Sequence, residues 1–177
     1  MPFSPARLAG LLALLFACGV APADADPPTH VRSTVARLAA LVALGVGRSP
    51  VFQALVARLD AAPVVVYLEC DAGSAHAGYD AWSTLVSAAG GYRYVAARFR
   101  CTLTDEALVP LVAHELRHAT EIADAPEVVD ALTLTRFYES IGVEVGSRRG
   151  GVRAFETVAA QLAERAVRRD LRAVHGP

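Results

Sequence analysis

The segment LVAHELRHATEI (Leu111 to Ile122) constrains this chain more than any other stretch. Leu111, Val112, Leu116, Ala119 and Ile122 recur at three- and four-residue intervals, which predicts a helix with its apolar stripe in the core. His114, Glu115 and His118 ride on that same helix. Groups of this kind are costly in an interior unless they find partners. His114 and His118 are four apart, so their rings project from one helix face and can both reach a single ion. Read as solvated surface residues, they would need no such partner, so the fold around this helix decides between the two.

The remainder of the chain can bury such a helix. At 177 residues with a 54% hydrophobic share it is long enough for one domain with a real core. The net charge of −1 gives no general attraction to nucleic acid or anionic lipid, so no nucleic-acid partner is expected. Lys and Asn are absent, and without Asn there is no N-x-S/T glycosylation site.

Residues 1–25 read as an export signal, leaving 26–177 as the domain. MPFSPAR carries one positive side chain, Arg7, and is followed by the apolar run Leu8 to Val20 and then by the small and polar APADADPP. That run is short of the roughly 20 residues a membrane span needs. Ala21–Ala23 or Ala23–Ala25 can supply a cleavage site. Alternatively LFAC (Leu15 to Cys18) resembles a bacterial lipobox, which would make Cys18 a lipid anchor and the one membrane contact; Phe16 fits that box poorly, which favours ordinary cleavage. The expected location is periplasmic or extracellular. Outside the cytoplasm, Cys70 and Cys101 can form a disulfide, or remain two buried thiols.

Periodicity predicts helices over His30–Val46 and Val51–Leu59, then a buried strand in PVVVYLEC (63–70). The stretch 81–89 is ambiguous between helix and strand, with a short helix favoured slightly. YRYVAARFRC (92–101) alternates like a strand with one wet face, and the two strands belong to one small sheet. A helix over roughly 105–125 carries the histidines; Thr104, or Thr102 with Asp105, can cap it, and Pro110 should distort it or delay its start to about Ala107. Another helix starts at Pro126 and is followed by a Gly-rich loop (142–151), a lid or a plain connector. A last helix, from Val152, ends the chain. The fold class is α+β, mainly helical.

Glu115 lies about a third of a turn from His114, placed to act on a water at the ion without ligating it. Neutral imidazoles suit Zn2+, and a catalytic zinc keeps one position open beside three protein donors. The third donor must come from elsewhere: Glu139, Glu144, Glu156, Glu164, Asp170 and His175 are the downstream candidates. Glu156 leads, read as standing near the start of the final helix amid small residues; it would otherwise complement that helix's dipole. Glu121, one turn beyond His118, can hold a ligand imidazole by its second nitrogen or pair with Arg117. Tyr138 can donate to a developing oxyanion, although an aromatic in RFYESIG also suits the core. His30, His76 and His175 read as ordinary surface residues, and the arginines at 165, 168, 169 and 172 as a solvated face.

AHELRHATEIADAPEV, followed by FET near the C-terminus, resembles the gluzincin-type metallopeptidases, which carry H-E-x-x-H on one helix and a glutamate ligand on a later one. The element order also resembles small exported bacterial proteins. The likeness spans about residues 30 to 172 by element order. Its specific part is confined to Val112–Val128 and Phe155–Ala160. It implies a minimal zincin-like domain with a small sheet packed beside the active helix. It further implies a zinc peptidase with His114, His118 and Glu156 as ligands, Glu115 as general base, and a peptide or protein as substrate. The family's ligand helix usually bears an acidic residue four positions after the glutamate; here that position is Ala160, so support for the histidines must come from another place. The YRYVAARFR strand, were it the sheet edge, could take an extended peptide in a shallow, weakly selective cleft. The alternative is a non-catalytic envelope protein that uses the same ligands structurally.

Overall fold

A computed structural model of the protein describes residues 29–71, 78–147 and 153–173. The export segment with Cys18, and also His76, His175 and residues 148–152, lie outside that set. The described elements are β1 (Val31–Arg32), α1 (Ala36–Arg48), α2 (Pro50–Asp60), β2 (Val64–Cys70), β3 (Ala81–Ala89), β4 (Tyr92–Phe99), α3 (Asp105–Asp124), α4 (Ala131–Ile141), β5 (Val143–Ser147), β6 (Arg153–Glu156) and α5 (Val158–Ala173). This is a small α+β domain in which helix predominates. No single described helix is long and apolar enough to cross a membrane.

The main sheet has the order β1-β2-β4-β3, with β2 parallel to both β1 and β4, and β3 antiparallel to β4. The continuous apolar run of β2 suits a strand covered on both sides: Val64, Val65, Val66 and Leu68 are all buried. β3 and β4 are joined by Gly90-Gly91, whose φ values of 59° and 80° are both left-handed, as a two-residue hairpin turn requires. That turn makes 81–89 a strand rather than the short helix expected. AWSTLVSAA has no apolar stripe at helical spacing strong enough to compete, and pairing with β4 satisfies its backbone along eight residue pairs. Among the described strands the sheet edges are therefore β1 and β3, while the YRYVAARFR strand, β4, is interior.

α3 runs through the middle of the molecule, packed against α1, α2 and α5 and against the strands of the main sheet. Leu108, Val109, Val112, Ala113, Leu116 and Ala119 are completely enclosed. The helix begins at Asp105 in spite of Pro110. The proline removes the bond to the Glu106 carbonyl, but Glu106 is exposed and water can serve it. At the other end the buried guanidinium of Arg93, from β4, donates through Nη1 to the carbonyls of Ile122 and of Ala125 (2.8 Å). A cation is thus fixed at the negative end of the helix dipole.

Two further expectations are revised by the structure. α4 starts at Ala131, not Pro126, because Asp130 and Thr133 form a reciprocal capping box. The stretch expected to be a Gly-rich loop running into the last helix contains an antiparallel hairpin, β5–β6, and α5 begins only at Val158. Cys70 and Cys101 are disulfide-bonded, with Cα atoms 5.4 Å apart, which ties the end of β2 to the turn before α3.

Candidate metal centre

The local chain explains how each group reaches the site. His114 and His118 stand one turn apart on α3, and their rings meet edge to face with centroids 5.0 Å apart. Glu156 ends β6, with Thr157 between it and α5, and does not stand on the final helix as expected. It reaches both rings: Oε2 lies 3.2 Å from His114 Nε2, and Oε1 3.6 Å from His118 Nε2. One donor atom from each of the three side chains lies within 4.8 Å of the others. A tetrahedral zinc with bonds of about 2.0–2.2 Å sets its donors roughly 3.3–3.5 Å apart. The two imidazole–carboxylate distances, made to different oxygens of Glu156, fall on either side of that range, so the three side chains could hold such an ion.

The opposite edge of each imidazole is held by a carboxylate. Glu121 Oε2 lies 2.9 Å from His118 Nδ1, and Glu164 Oε2 lies 3.2 Å from His114 Nδ1. A carboxylate at Nδ1 fixes a proton there, which leaves Nε2 turned toward Glu156, able either to carry a second proton or to ligate an ion. The support absent from Ala160 therefore comes from two other places, one turn beyond His118 on α3 and two turns into α5. Glu121 also stands 3.7 Å from Arg117, so its two sequence readings coexist.

The charges have a clear sum. Four carboxylates, Glu115, Glu121, Glu156 and Glu164, surround the two rings. Arg117 accompanies Glu121, and Arg168 Nη2 meets Glu164 Oε1 at 2.7 Å. Glu115 and Glu156 remain, and a doubly charged cation, or two imidazolium ions, would neutralise them. Without an ion the protons take that part. Burial alone would lower both histidines, but hydrogen bonds to Glu121 and Glu156, with Glu115 close by, outweigh it and push His118 up to about 10. His114 is raised as well, its bond to Glu156 overcoming the effect of burial. Glu156, against the opposing effect of burial, is held well below the usual carboxylate range by the two imidazoles.

Glu115 is buried at 3% exposure and accepts a hydrogen bond at Oε2 from Ser83 Oγ of β3, at 2.5 Å. The contact ties the candidate base to the sheet edge and leaves its other oxygen for chemistry. Tyr138 is buried and lines the same cavity as the histidines. Its hydroxyl lies 3.4 Å from His118 Nδ1 and donates to the His118 carbonyl at 3.3 Å. That is the ring edge opposite Nε2, so in this arrangement the phenol backs His118. Burial and then the Glu121 and Glu115 charges push its pKa well above the ordinary tyrosine value.

The other candidate ligands are used differently. Glu139 and Glu144 both pair with Arg153, joining α4, β5 and β6. Asp170 accepts from Ser49 Oγ at 2.5 Å, which links α5 to the N-cap of α2. His30 Nδ1 meets the Leu59 and Ala62 carbonyls, 2.9 Å from each. Sequence reasoning missed Ser83 and Thr157 altogether and weighed Glu164 only as an ion ligand. The pairings of Ser83 and Glu164 span 32 and 50 residues, so no local pattern announces them.

The histidines open onto a cavity of about 150 Å³. β3 forms one wall, through Ala81 to Leu85. α4 and the β5–β6 hairpin form the other, including Leu134, Tyr138 and Phe155. No family model, curated protein or solved structure matches the chain.

Proposed function

We propose that this chain is an exported zinc-dependent peptidase. The observation that carries the reading is the orientation of the two imidazoles: each turns Nε2 toward Glu156 while a separate carboxylate holds its Nδ1. Histidines serving only as core or surface residues have no need of that double arrangement. A divalent ion bound there supplies Lewis-acid polarisation of a carbonyl and acidifies a water.

The chain's own residues supply the rest. Glu115, anchored through Oε2 by Ser83, presents Oε1 to take the proton of the attacking water and then to pass it to the leaving amine. Among the described residues β3 is the last strand of the main sheet and borders the cavity, where an extended peptide can lie alongside it. A cavity near 150 Å³ that sets Leu85, Leu134 and Phe155 beside the polar site residues takes one compact apolar group. This favours a peptide with a medium apolar side chain beside the scissile bond.

Export rests on the signal-like residues 1–25, with Cys18 as a lipid anchor in the alternative processing. A purely structural zinc would need a closed sphere of protein donors. Among the described residues, the group able to share one ion comprises His114, His118 and Glu156 only, which favours the catalytic reading. The test is Glu115→Gln. The variant should keep its zinc and lose hydrolysis of a peptide library by about 10²- to 10⁴-fold. Undiminished turnover would refute the mechanism.

A further inference from the structure

Thr157 joins the two halves of the site, and we infer that it is a positioning residue that sets the third ligand and the support of His118 together, an inference that rests on the metal-centre reading above. Its backbone N–H donates to Glu156 Oε1 at 2.7 Å. Its hydroxyl donates to Glu121 Oε1 at 2.8 Å, and the same oxygen accepts from the Ala160 N–H at 3.1 Å. One residue thereby touches the ligand carboxylate, the carboxylate that orients His118, and the first turn of α5.

The direction of each bond follows from proton count. A hydroxyl has one proton and two lone pairs. The ionised Glu121 can only accept, so it takes the proton, and the Ala160 amide can only donate, so it takes a lone pair. With Oε1 engaged by Thr157, Glu121 turns Oε2 to His118 Nδ1. His118 then keeps Nε2 free for an ion. The cap also fixes the start of α5, the helix that brings Glu164 to His114. Thr157 is 4% exposed, so little solvent reaches the hydroxyl to replace it.

Valine at 157 keeps the shape and the backbone N–H but has neither the proton for Glu121 nor the lone pair for Ala160; serine has both. The experiment titrates the metal-free full chain with zinc against a chromophoric chelator and follows thermal unfolding of the metal-free forms in parallel. Thr157→Val should bind zinc about 10- to 100-fold more weakly than wild type, the range for lost outer supports. Thr157→Ser should stay within about twofold, and in a Glu121→Gln background the valine should add little more than that.

Lower melting of metal-free Thr157→Val with unchanged zinc affinity would mean a helix cap alone and would overturn the inference. Full additivity with Glu121→Gln would overturn it as well. Should the valine variant fail to fold, the wild type decides by NMR of the zinc-loaded, 15N-histidine-labelled protein. A slowly exchanging His118 Nδ1–H supports the relay, whereas coordination through Nδ1 or rapid exchange with bulk water overturns it. A wild type that takes up no zinc defeats both this inference and the metal-centre reading. Wild-type uptake with equal uptake by Thr157→Val defeats this inference alone.

Discussion

Removing the charge from each outer carboxylate in turn, Glu121→Gln and Glu164→Gln, should weaken zinc binding unequally, and the structure says by how much. Outer supports of metal-bound histidines are worth about 10- to 100-fold in affinity. Glu121 is 2.9 Å from its histidine, and its side chain is 5% exposed. Glu164 is 3.2 Å away, 23% exposed, and shares its charge with Arg168 at 2.7 Å, a closer partner than Arg117 is to Glu121 at 3.7 Å. A shorter contact in a drier place is the stronger one. Glu121→Gln therefore belongs at the upper end, about 100-fold or 2.7 kcal/mol, and Glu164→Gln at the lower, about tenfold or 1.4 kcal/mol. Competition with a chelator of known affinity, at one pH and salt concentration, measures both. Equal losses, or the larger loss at Glu164, would refute the reasoning that burial and sharing rank these supports.

Three further outcomes are expected. The metal-free protein should lose stability as pH rises. The folded pKa of His118, about 10, lies above its ordinary 6.5, so its contribution is complete below about pH 6.5 and gone above about pH 10. A melting temperature that is flat or rising across that window would contradict this, and zinc uptake in the same range should release protons. Gly45→Ala should destabilise by about 1–3 kcal/mol, because an added Cβ would stand 2.5 Å from Phe52 Cδ2 at the α1–α2 crossing. Chemical denaturation showing less than about 0.5 kcal/mol would mean the two helices part easily. Replacing Cys70 and Cys101 together by alanine should cost about 3–4 kcal/mol, given a separation of 31 residues, with a matching fall in denaturation midpoint.

Much of the fold was legible wherever one force acted alone. The apolar run of β2 and the three-to-four spacing of α3 each specify a single solution, and α3 starts at Asp105 despite Pro110, whose orphaned carbonyl belongs to the exposed Glu106. The stretch 81–89 was not legible in that way. Its helix and strand signals are balanced, and the deciding influence is the Gly90-Gly91 turn acting with the β4 partner. Spacing alone carries the last helix back to Val152, whereas Thr157 caps α5 and leaves Glu156 at the end of β6. Within the site, the histidine pair is a local pattern and could be read from spacing. Its supports could not all be found so: Glu121 is three residues from His118, but Glu164 and Ser83 arrive through tertiary packing. Tyr138 shows the reverse case. Its residue type suggested donation to substrate, and only the structure puts its hydroxyl behind the ring it touches.

The central claim is that His114, His118 and Glu156 together hold one divalent ion, and elemental analysis of the purified mature chain tests it most directly. The account predicts about one zinc per chain in the wild type and loss of that zinc in Glu156→Ala, with both proteins folded. A folded wild type without zinc, or a Glu156→Ala variant that retains the full complement, would contradict it.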